Sequence, residues 1–351
     1  NHNDPIQSVL SSSNKNIRRV ADSLDKYKVQ ILFTEVHRDA QNNVTFSDYS
    51  FHVDDSTYFY PASSVKFQIA LLTLEKLDED STLTRNSKFF IEGDSITTTF
   101  AKEIKNIFAV SDNESYNRLF EYLGQDDINK RLSAKGLNAR ISHRLSTNNS
   151  ENITTRPLVV YINDSTTTTT KEIINKPIKR LHLKGILKGK GYIKNDSLIN
   201  KPKDFSTRNY LPLTSLHNTM KQLMFPELYP VEKRFHLSDD NKSFVIKTMK
   251  ILPREAGYNT AKYYDSYEKF FVVGDTKKPF PENIEIYSKS GWAYGYLTDC
   301  AYIVDKKRNK EWIISATIYV NDNEIFNDDV YEYESVGLPF LAELGRQLIK
   351  F

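Results

Sequence analysis

The chain has 351 residues, of which 39% are hydrophobic and 26% are charged, and its formal net charge is +3 at pH 7. These proportions are typical of a globular protein with one large domain or two closely packed ones, and 21 tyrosines and 20 phenylalanines argue against a disordered chain. A charge this close to balance gives no indication of a nucleic-acid or membrane partner.

Cysteine, histidine and apolar runs narrow the possibilities further. Cys300 is the only cysteine, so no internal disulfide can form. The seven histidines are scattered without metal-ligand spacing, and we expect no metal or other cofactor. No apolar run approaches the ~20 residues that a membrane-spanning helix needs. Because the chain starts at Asn1 without Met, an export signal could have been removed, and we expect an exported, periplasmic or envelope-associated protein.

The first 60 residues predict a helix followed by a β-hairpin. Asp4-Pro5 is a typical helix start, and apolar positions at helical spacing continue the helix to about Lys26. Residues 29–36 and 44–53 then read as two strands that pair across a turn at 39–43.

The next stretch, 61–77, predicts a buried helix. Pro61 suits a first helical turn, and the positions after it are mostly apolar. Ser63 and Lys66 lie three apart at the helix start, so their side chains share one face. A buried amine loses proton affinity, and a neutral lysine can take a proton from a serine hydroxyl.

The middle of the chain alternates between helical and irregular patterns. Helical periodicity occurs at 98–110, 114–123 and 126–134, and it returns at 214–224 and 241–251. Between these groups, residues 142–205 are polar and weakly periodic, except for a small hairpin at 189–200 that turns at Asn195-Asp196.

The end of the chain predicts a strand at 284–288 leading into Lys-Ser-Gly at 289–291, a hairpin of 296–304 and 312–320, and a helix at 336–349. Strands at both chain ends with helices between them predict an α+β fold. We expect a discontinuous sheet domain of 1–62 and 281–351, and a mainly helical domain of 63–280 with an insertion at 142–205.

Two further short motifs accompany Ser63 and Lys66. Ser-x-x-Lys alone is a weak signal, because it also occurs at 12–15, 23–26 and 266–269. Ser-Asp-Asn at 111–113 and Lys-Ser-Gly at 289–291 each occur once, in the order typical of β-lactamases and penicillin-binding proteins. The chain therefore resembles the serine β-lactamase and penicillin-binding protein superfamily, and in particular its class A β-lactamase-like branch.

The resemblance implies a mostly antiparallel sheet with flanking helices, an inserted helical domain and an active site between the two. The roles that it implies are Ser63 as nucleophile, Lys66 as acylation base or proton relay, Ser111 as proton donor toward the leaving nitrogen, and Lys289 beside the nucleophile. Substrate would be bound by Asn113 at an amide, by Ser290 at a carboxylate and along Gly291, with the backbone N–H groups of Ser63 and Trp292 as an oxyanion hole.

Each of these features has an ordinary structural alternative. Serine, aspartate and asparagine are common helix caps, a lysine at a helix start often extends along the surface, and Lys-Ser-Gly suits a strand-end turn. Asp112 is expected to cap the next helix. Trp292, Tyr294 and Tyr296 are expected either to line the cleft or to pack in the core.

The chain departs from the class A pattern in its middle. It lacks the Glu-x-x-Leu-Asn string whose glutamate activates the deacylating water, and Glu151 and Asp196 are weak substitutes for that base. The segment between the second and third motifs is longer than usual, and no arginine follows Lys289 on its strand to anchor a substrate carboxylate.

Three functions remain open on the sequence. The first is a serine hydrolase that opens β-lactams through a Ser63 acyl-enzyme and deacylates slowly. The second is a D-alanyl-D-alanine carboxypeptidase that acts on cell-wall peptides, and the third is a binding module without activity. Nucleic-acid binding by the lysines of 176–194 is disfavoured because few aromatic residues lie among them. The absence of Gly-x-Ser-x-Gly disfavours a lipase.

Overall fold

The structure, a computed structural model, describes residues 4–351. Its α-helices are α1 (Pro5–Leu10), α2 (Lys15–Ala21), α3 (Leu24–Tyr27), α4 (Lys66–Asp78), α5 (Phe100–Val110), α6 (Asn113–Leu123), α7 (Gln125–Ala134), α8 (Leu213–Met224), α9 (Asp239–Met249) and α10 (Leu338–Leu348). Its longer strands are β1 (Gln30–Arg38) and β2 (Val44–Phe51) near the start, and β13 (Ile284–Ala293), β14 (Tyr296–Asp305) and β15 (Lys310–Tyr319) near the end. The short strands are β3 (Lys88–Ile91), β4 (Thr98–Thr99), β5 (Thr154–Thr155), β6 (Leu158–Tyr161), β7 (Thr167–Thr169), β8 (Ile173–Ile174), β9 (Leu187–Lys188), β10 (Gly191–Lys194), β11 (Ser197–Ile199), β12 (Lys203–Asp204) and β16 (Ile325–Phe326).

The main sheet takes its five strands from the two ends of the chain, in the order β13-β14-β15-β1-β2, and all neighbours are antiparallel. The predicted α+β fold with a mostly antiparallel sheet is confirmed. The shorter strands form small sheets between the helices, and the only parallel pairing among the described strands joins β10 to β16. The domain boundaries at 62/63 and 280/281 stay a prediction.

Both faces of the main sheet are buried. Phe33 and Ile314 point to the face covered by the terminal helices and belong to the same core cluster as Leu341 of α10. Cys300 and Ile313 point to the opposite face, which belongs to the core shared with the helices of the middle of the chain. Burial on both sides explains why β14 and β15 are buried at almost every position, and apolar at most of them, instead of alternating.

Two predicted elements at the chain start differ in detail. The single helix expected up to Lys26 is wrong: the chain forms three short helices, and Asn14 caps α2 by accepting from the Asn16 N–H. Ala62–Val65 form a 3₁₀ turn, called here the serine turn, and Pro61 is its N-cap. The α-helix begins only at Lys66.

Other predicted elements are confirmed within a few residues. The helices of the middle of the chain are α5 to α9, and the hairpin of β10 and β11 turns at Asn195-Asp196, both with positive φ as a type I′ turn requires. The strand predicted to end at 288 continues to Ala293, so Lys-Ser-Gly at 289–291 lies inside β13 and not in a turn after it. Within residues 4–351, no helix is long and apolar enough to cross a bilayer.

Candidate active site

Ser63 lies in the 3₁₀ turn before α4 and lines a cleft of about 810 Å³. Its neighbour Ala62 has φ of 51°, a left-handed conformation that is uncommon for a residue with a side chain. The adjacent Ser64 is fully buried and its hydroxyl donates to the Pro61 carbonyl at 2.6 Å. The turn therefore presents one of its two serines to the cleft and uses the other to close itself.

Lys66, Ser111 and Lys289 form a continuous hydrogen-bond network beside Ser63. The Ser111 hydroxyl lies 3.1 Å from Lys66 Nζ and 3.0 Å from Lys289 Nζ, so it bridges the two amines. Ser111 has φ of 57° at the end of α5, and this left-handed turn places its side chain between the lysines. Three motifs that are distant in sequence thus meet in one cluster.

Both amines have lowered proton affinity. Lys66 is fully buried, and burial, followed by the charge of Lys289, holds its pKa well below the ordinary value. Burial also lowers the pKa of Lys289 to about 8. Each lysine can therefore lose a proton far more readily than an exposed lysine does.

The Lys66 amine donates hydrogen bonds to groups other than the Ser63 hydroxyl in this structure. Its Nζ donates to the Ser111 carbonyl and to Asn113 Oδ1 at 2.8 Å, and among residues 4–351 the Ser63 hydroxyl makes no hydrogen bond. Hydrogen bonds of catalytic groups are often long or absent before substrate binds, so this geometry is compatible with proton transfer between them.

The two other residues of the second motif have distinct positions. Asp112 caps α6 by accepting from the Ser115 N–H at 2.8 Å, as predicted. Asn113 lines the cleft, and its Nδ2 donates to the Ser146 hydroxyl at 3.1 Å. Asn113 therefore links Lys66 to the segment that follows α7.

Strand β13 forms the wall opposite the serine turn. A Cβ at Gly291 would lie 2.6 Å from the backbone nitrogens of both Ser63 and Ser64, so only glycine lets the strand and the turn approach this closely. The expected role of Gly291 was close approach of a substrate; the structure adds that the protein's own backbone needs the same space. Trp292, one residue on, lines the cleft and is 36% exposed.

Ser290 does not point freely into the cleft. Its hydroxyl lies 2.7 Å from Glu268 Oε2 and 2.8 Å from the Glu268 carbonyl oxygen. Both partners are acceptors, so the single hydroxyl proton of Ser290 is committed to Glu268. The group expected to receive a substrate carboxylate is already bound to a carboxylate of the chain itself.

A family model described as the β-lactamase enzyme family matches residues 13–191, just over half of the chain. The chain belongs to this family. The match includes Ser63, Lys66 and the second motif, and it ends before β13. Lys289 lies outside the matched residues, and its hydrogen bond to Ser111 connects it to residues inside the match.

Solved structures of β-lactamases and of a penicillin-binding protein share the fold of this family member. The β-lactamase from Sphaerobacter thermophilus is 11% identical with a TM-score of 0.53, covering 98% of this chain and 95% of its own. The β-lactamase from Burkholderia ambifaria is 11% identical with a TM-score of 0.54, covering 93% and 96%. A variant of PBP-A, in an acyl-enzyme complex with penicillin G, is 12% identical with a TM-score of 0.53, covering 99% and 97%. A search of curated proteins finds no match.

Aromatic side chains line much of the cleft in this β-lactamase-family protein. Trp292 packs at 5.1 Å from Tyr333, and Tyr294 packs edge-to-face on Tyr60 at 4.9 Å, so both line the cleft. Tyr296 is buried and stacks near Tyr319 at 4.7 Å, which makes it a core residue. Of the two alternatives for the three aromatic residues, the first applies to Trp292 and Tyr294 and the second to Tyr296.

Sequence reasoning missed several cleft residues. These are Arg208, Tyr263, Tyr267, Glu268 and Tyr331. They come from loops whose patterns carry no functional signal; the one available hint was the density of tyrosines at 258–267.

Neither of the two carboxylates named as substitutes for a deacylating base lines the cleft, although Glu151 Oε1 lies 3.9 Å from Nε of the lining residue Arg208. Glu151 accepts from the Thr207 hydroxyl at 2.8 Å, and Asp196 is exposed in the turn between β10 and β11. Among residues 4–351, no carboxylate accepts a hydrogen bond from Lys66, and no group of three or more His, Cys, Asp or Glu side chains could hold a metal.

Proposed function

We propose that this protein is a serine acyl-hydrolase that opens β-lactams through an acyl-enzyme on Ser63. The observation that carries the proposal is the network in which Ser111 bridges the low-pKa amines of Lys66 and Lys289 beside the cleft-facing serine. A nucleophile, a base of lowered proton affinity and a proton relay are the parts that acylation needs.

In this proposal, Lys66 as the neutral amine takes the proton of Ser63 while the serine oxygen attacks the lactam carbonyl. The ring C–N bond breaks, and the departing nitrogen receives a proton through Ser111. Lys289 supplies positive charge beside Ser111, which favours the transfer by stabilising the transient oxyanion of that hydroxyl. Because both lysines are buried, their charges act in a medium of low dielectric constant.

Backbone and side-chain groups would position the substrate. The N–H groups of Ser63 and Trp292 would form the oxyanion hole, and the close packing of β13 on the serine turn supports their proximity. Asn113 would hydrogen-bond a substrate amide, and the lining position of its side chain supports this role.

A second candidate is a D-alanyl-D-alanine carboxypeptidase that acts on cell-wall peptides. The absence of a carboxylate at Lys66 favours it, because an acyl-enzyme without a base to activate water is long-lived, as expected of an enzyme that β-lactams inhibit. Either function places the protein where cell-wall peptides or β-lactams are found, so we propose that it is exported and takes small-molecule or peptide substrates.

Intact mass after incubation with benzylpenicillin tests the acylation. Wild type should gain one penicillin mass, Ser63→Ala should gain none, and Ser64→Ala should still gain it because Ser64 faces inward. An unchanged adduct on the Ser63→Ala protein would overturn the assignment. No adduct on wild type would leave the third function, a binding module without activity.

A further inference from the structure

Glu268 is the carboxylate most closely joined to the third motif. It lines the cleft, is 7% exposed, and its Oε2 accepts from the Ser290 hydroxyl at 2.7 Å. The same hydroxyl lies 2.8 Å from the Glu268 carbonyl oxygen. Glu268 thus binds Ser290 through both its side chain and its backbone.

The backbone at Glu268 is held in place from its C-terminal side. Its φ is +63°, in the left-handed region that residues with side chains seldom occupy. The next residue, Lys269, is fully enclosed and donates to the carbonyls of Met249 and Ile286, and the N–H of Phe270 donates to Asp299 Oδ2 at 2.9 Å. A side chain presented by an unusual backbone conformation between fixed neighbours is a positioned group and not a mobile surface one.

The Glu268 carboxylate interacts electrostatically with the amines of Lys66 and Lys289. Burial lowers the pKa of both Lys66 and Lys289, and the Glu268 carboxylate opposes this by raising the pKa of each. The end of the cleft near Ser290 is therefore an anion-binding position, with a hydroxyl donor and positive charge nearby, and a carboxylate occupies it in this structure.

We propose that Glu268 fills the carboxylate-binding position of the cleft, so that Ser63 favours a β-lactam that presents a neutral or cationic group there over one that presents a carboxylate. This inference rests on the proposed function. A substrate carboxylate would have to compete with Glu268 for the Ser290 proton and would lie beside a second negative charge. Glu268 acts on specificity through Ser290 and is not itself assigned a part in bond making.

Two probes that differ in this one charge test the proposal: benzylpenicillin and its methyl ester. The ratio of acylation rates, acid over ester, should rise at least about tenfold in Glu268→Ala, because only the acid gains from the vacated position. Glu334→Ala is the matched control, since Glu334 is an exposed glutamate outside the cleft lining, and its ratio should equal that of wild type. A ratio in Glu268→Ala equal to that of wild type would overturn the proposal.

Acetate binding provides a readout that does not need acylation. Sodium acetate, compared with sodium chloride at equal ionic strength, should raise the Tm of Glu268→Ala and leave wild type and Glu334→Ala unchanged. If neither penicillin probe acylates any variant, the proposed function fails, and acetate still decides whether Glu268 occupies an anion position. An equal acetate response in all three proteins refutes that occupancy. Glu268→Gly, which also vacates the position and suits the left-handed backbone at residue 268, replaces Glu268→Ala in both experiments if the alanine variant does not fold.

Discussion

The two lysines beside this cleft are almost completely buried. Lys66 and Lys289 are 0% and 2% exposed, and each keeps its amine close to hydrogen-bond acceptors because burying a charge without partners is costly. Their lowered pKa values follow from the same burial. Burying these two amines therefore costs free energy of folding and lowers their proton affinity.

This cost predicts a dependence of stability on pH. Burial lowers the pKa of Lys289 from its ordinary value of 10.5 to about 8 on folding, so between these pH values the unfolded chain binds more protons and the free energy of unfolding rises with pH. Lys289→Met lacks this contribution. Its stability relative to wild type should therefore fall by about 3 kcal/mol between pH 7 and 10.5.

Urea unfolding at a series of pH values measures the difference. Lys201→Met serves as the control, because Lys201 is exposed, and its difference from wild type should stay constant with pH. A Lys289→Met difference that also stays constant would show that Lys289 keeps an ordinary pKa in the folded protein.

At the scale of elements, the contact of β13 with the serine turn sets the geometry of the cleft. The pairing of β13 with β14 is continuous from Ile284 to Ala293, so the backbone of β13 is held in place where it contacts the serine turn. At Gly291 no side-chain atom separates the backbone of the strand from that of the turn.

Gly291→Ala should therefore damage acylation more than it damages folding. The added Cβ meets backbone nitrogens that cannot rotate away, and the turn must move by a fraction of an ångström or more. Since small misplacements of reacting groups can cost about 10²-fold, we expect acylation by benzylpenicillin to fall by about that factor. Stopped-flow or quenched mass measurements give the rate.

Gly93→Ala is a suitable comparison for this variant. Gly93 has φ of 87° and open space around it, so alanine there strains the backbone without touching the cleft. It should lose about 1 kcal/mol of stability and keep its acylation rate. If Gly291→Ala acylates as fast as Gly93→Ala, the close approach of strand and turn has no part in catalysis.

At the scale of the whole molecule, the long segment between the second and third motifs determines which groups reach the cleft. It contributes Arg208, Tyr263, Tyr267 and Glu268 to the lining, but it brings no carboxylate within hydrogen-bond distance of Lys66. The groups to which we assign acylation are therefore close together, whereas no carboxylate among residues 4–351 accepts a hydrogen bond from Lys66.

Nitrocefin hydrolysis should accordingly show a burst followed by a slow phase. General-base assistance contributes about 10²–10⁴-fold, so its absence leaves deacylation rate-limiting and the acyl-enzyme accumulates. The burst amplitude should equal the enzyme concentration and disappear in Ser63→Ala. Fast steady turnover without a burst would contradict this. Asp112 of the second motif and Glu268, which accepts from Ser290 of β13, would then be substituted in turn.

The sequence by itself determined the order of the three motifs, most helices, the terminal hairpins and the burial of the helix after Ser63. These features depend on residue spacing over one or two helical turns or on strand alternation, which short segments encode. The strand predicted at 296–304 is confirmed as β14, and Cys300 within it is buried.

Only the tertiary structure decided which groups meet. Ser111 connects Lys66 to Lys289 by hydrogen bonds, although the two lysines are far apart in sequence. The Ser290 hydroxyl donates to Glu268, which lies in a loop whose sequence shows no recognisable pattern. Such contacts depend on residues with left-handed backbone conformations and on the packing of loops against buried strands. Neither feature produces a periodic pattern of residues in the sequence.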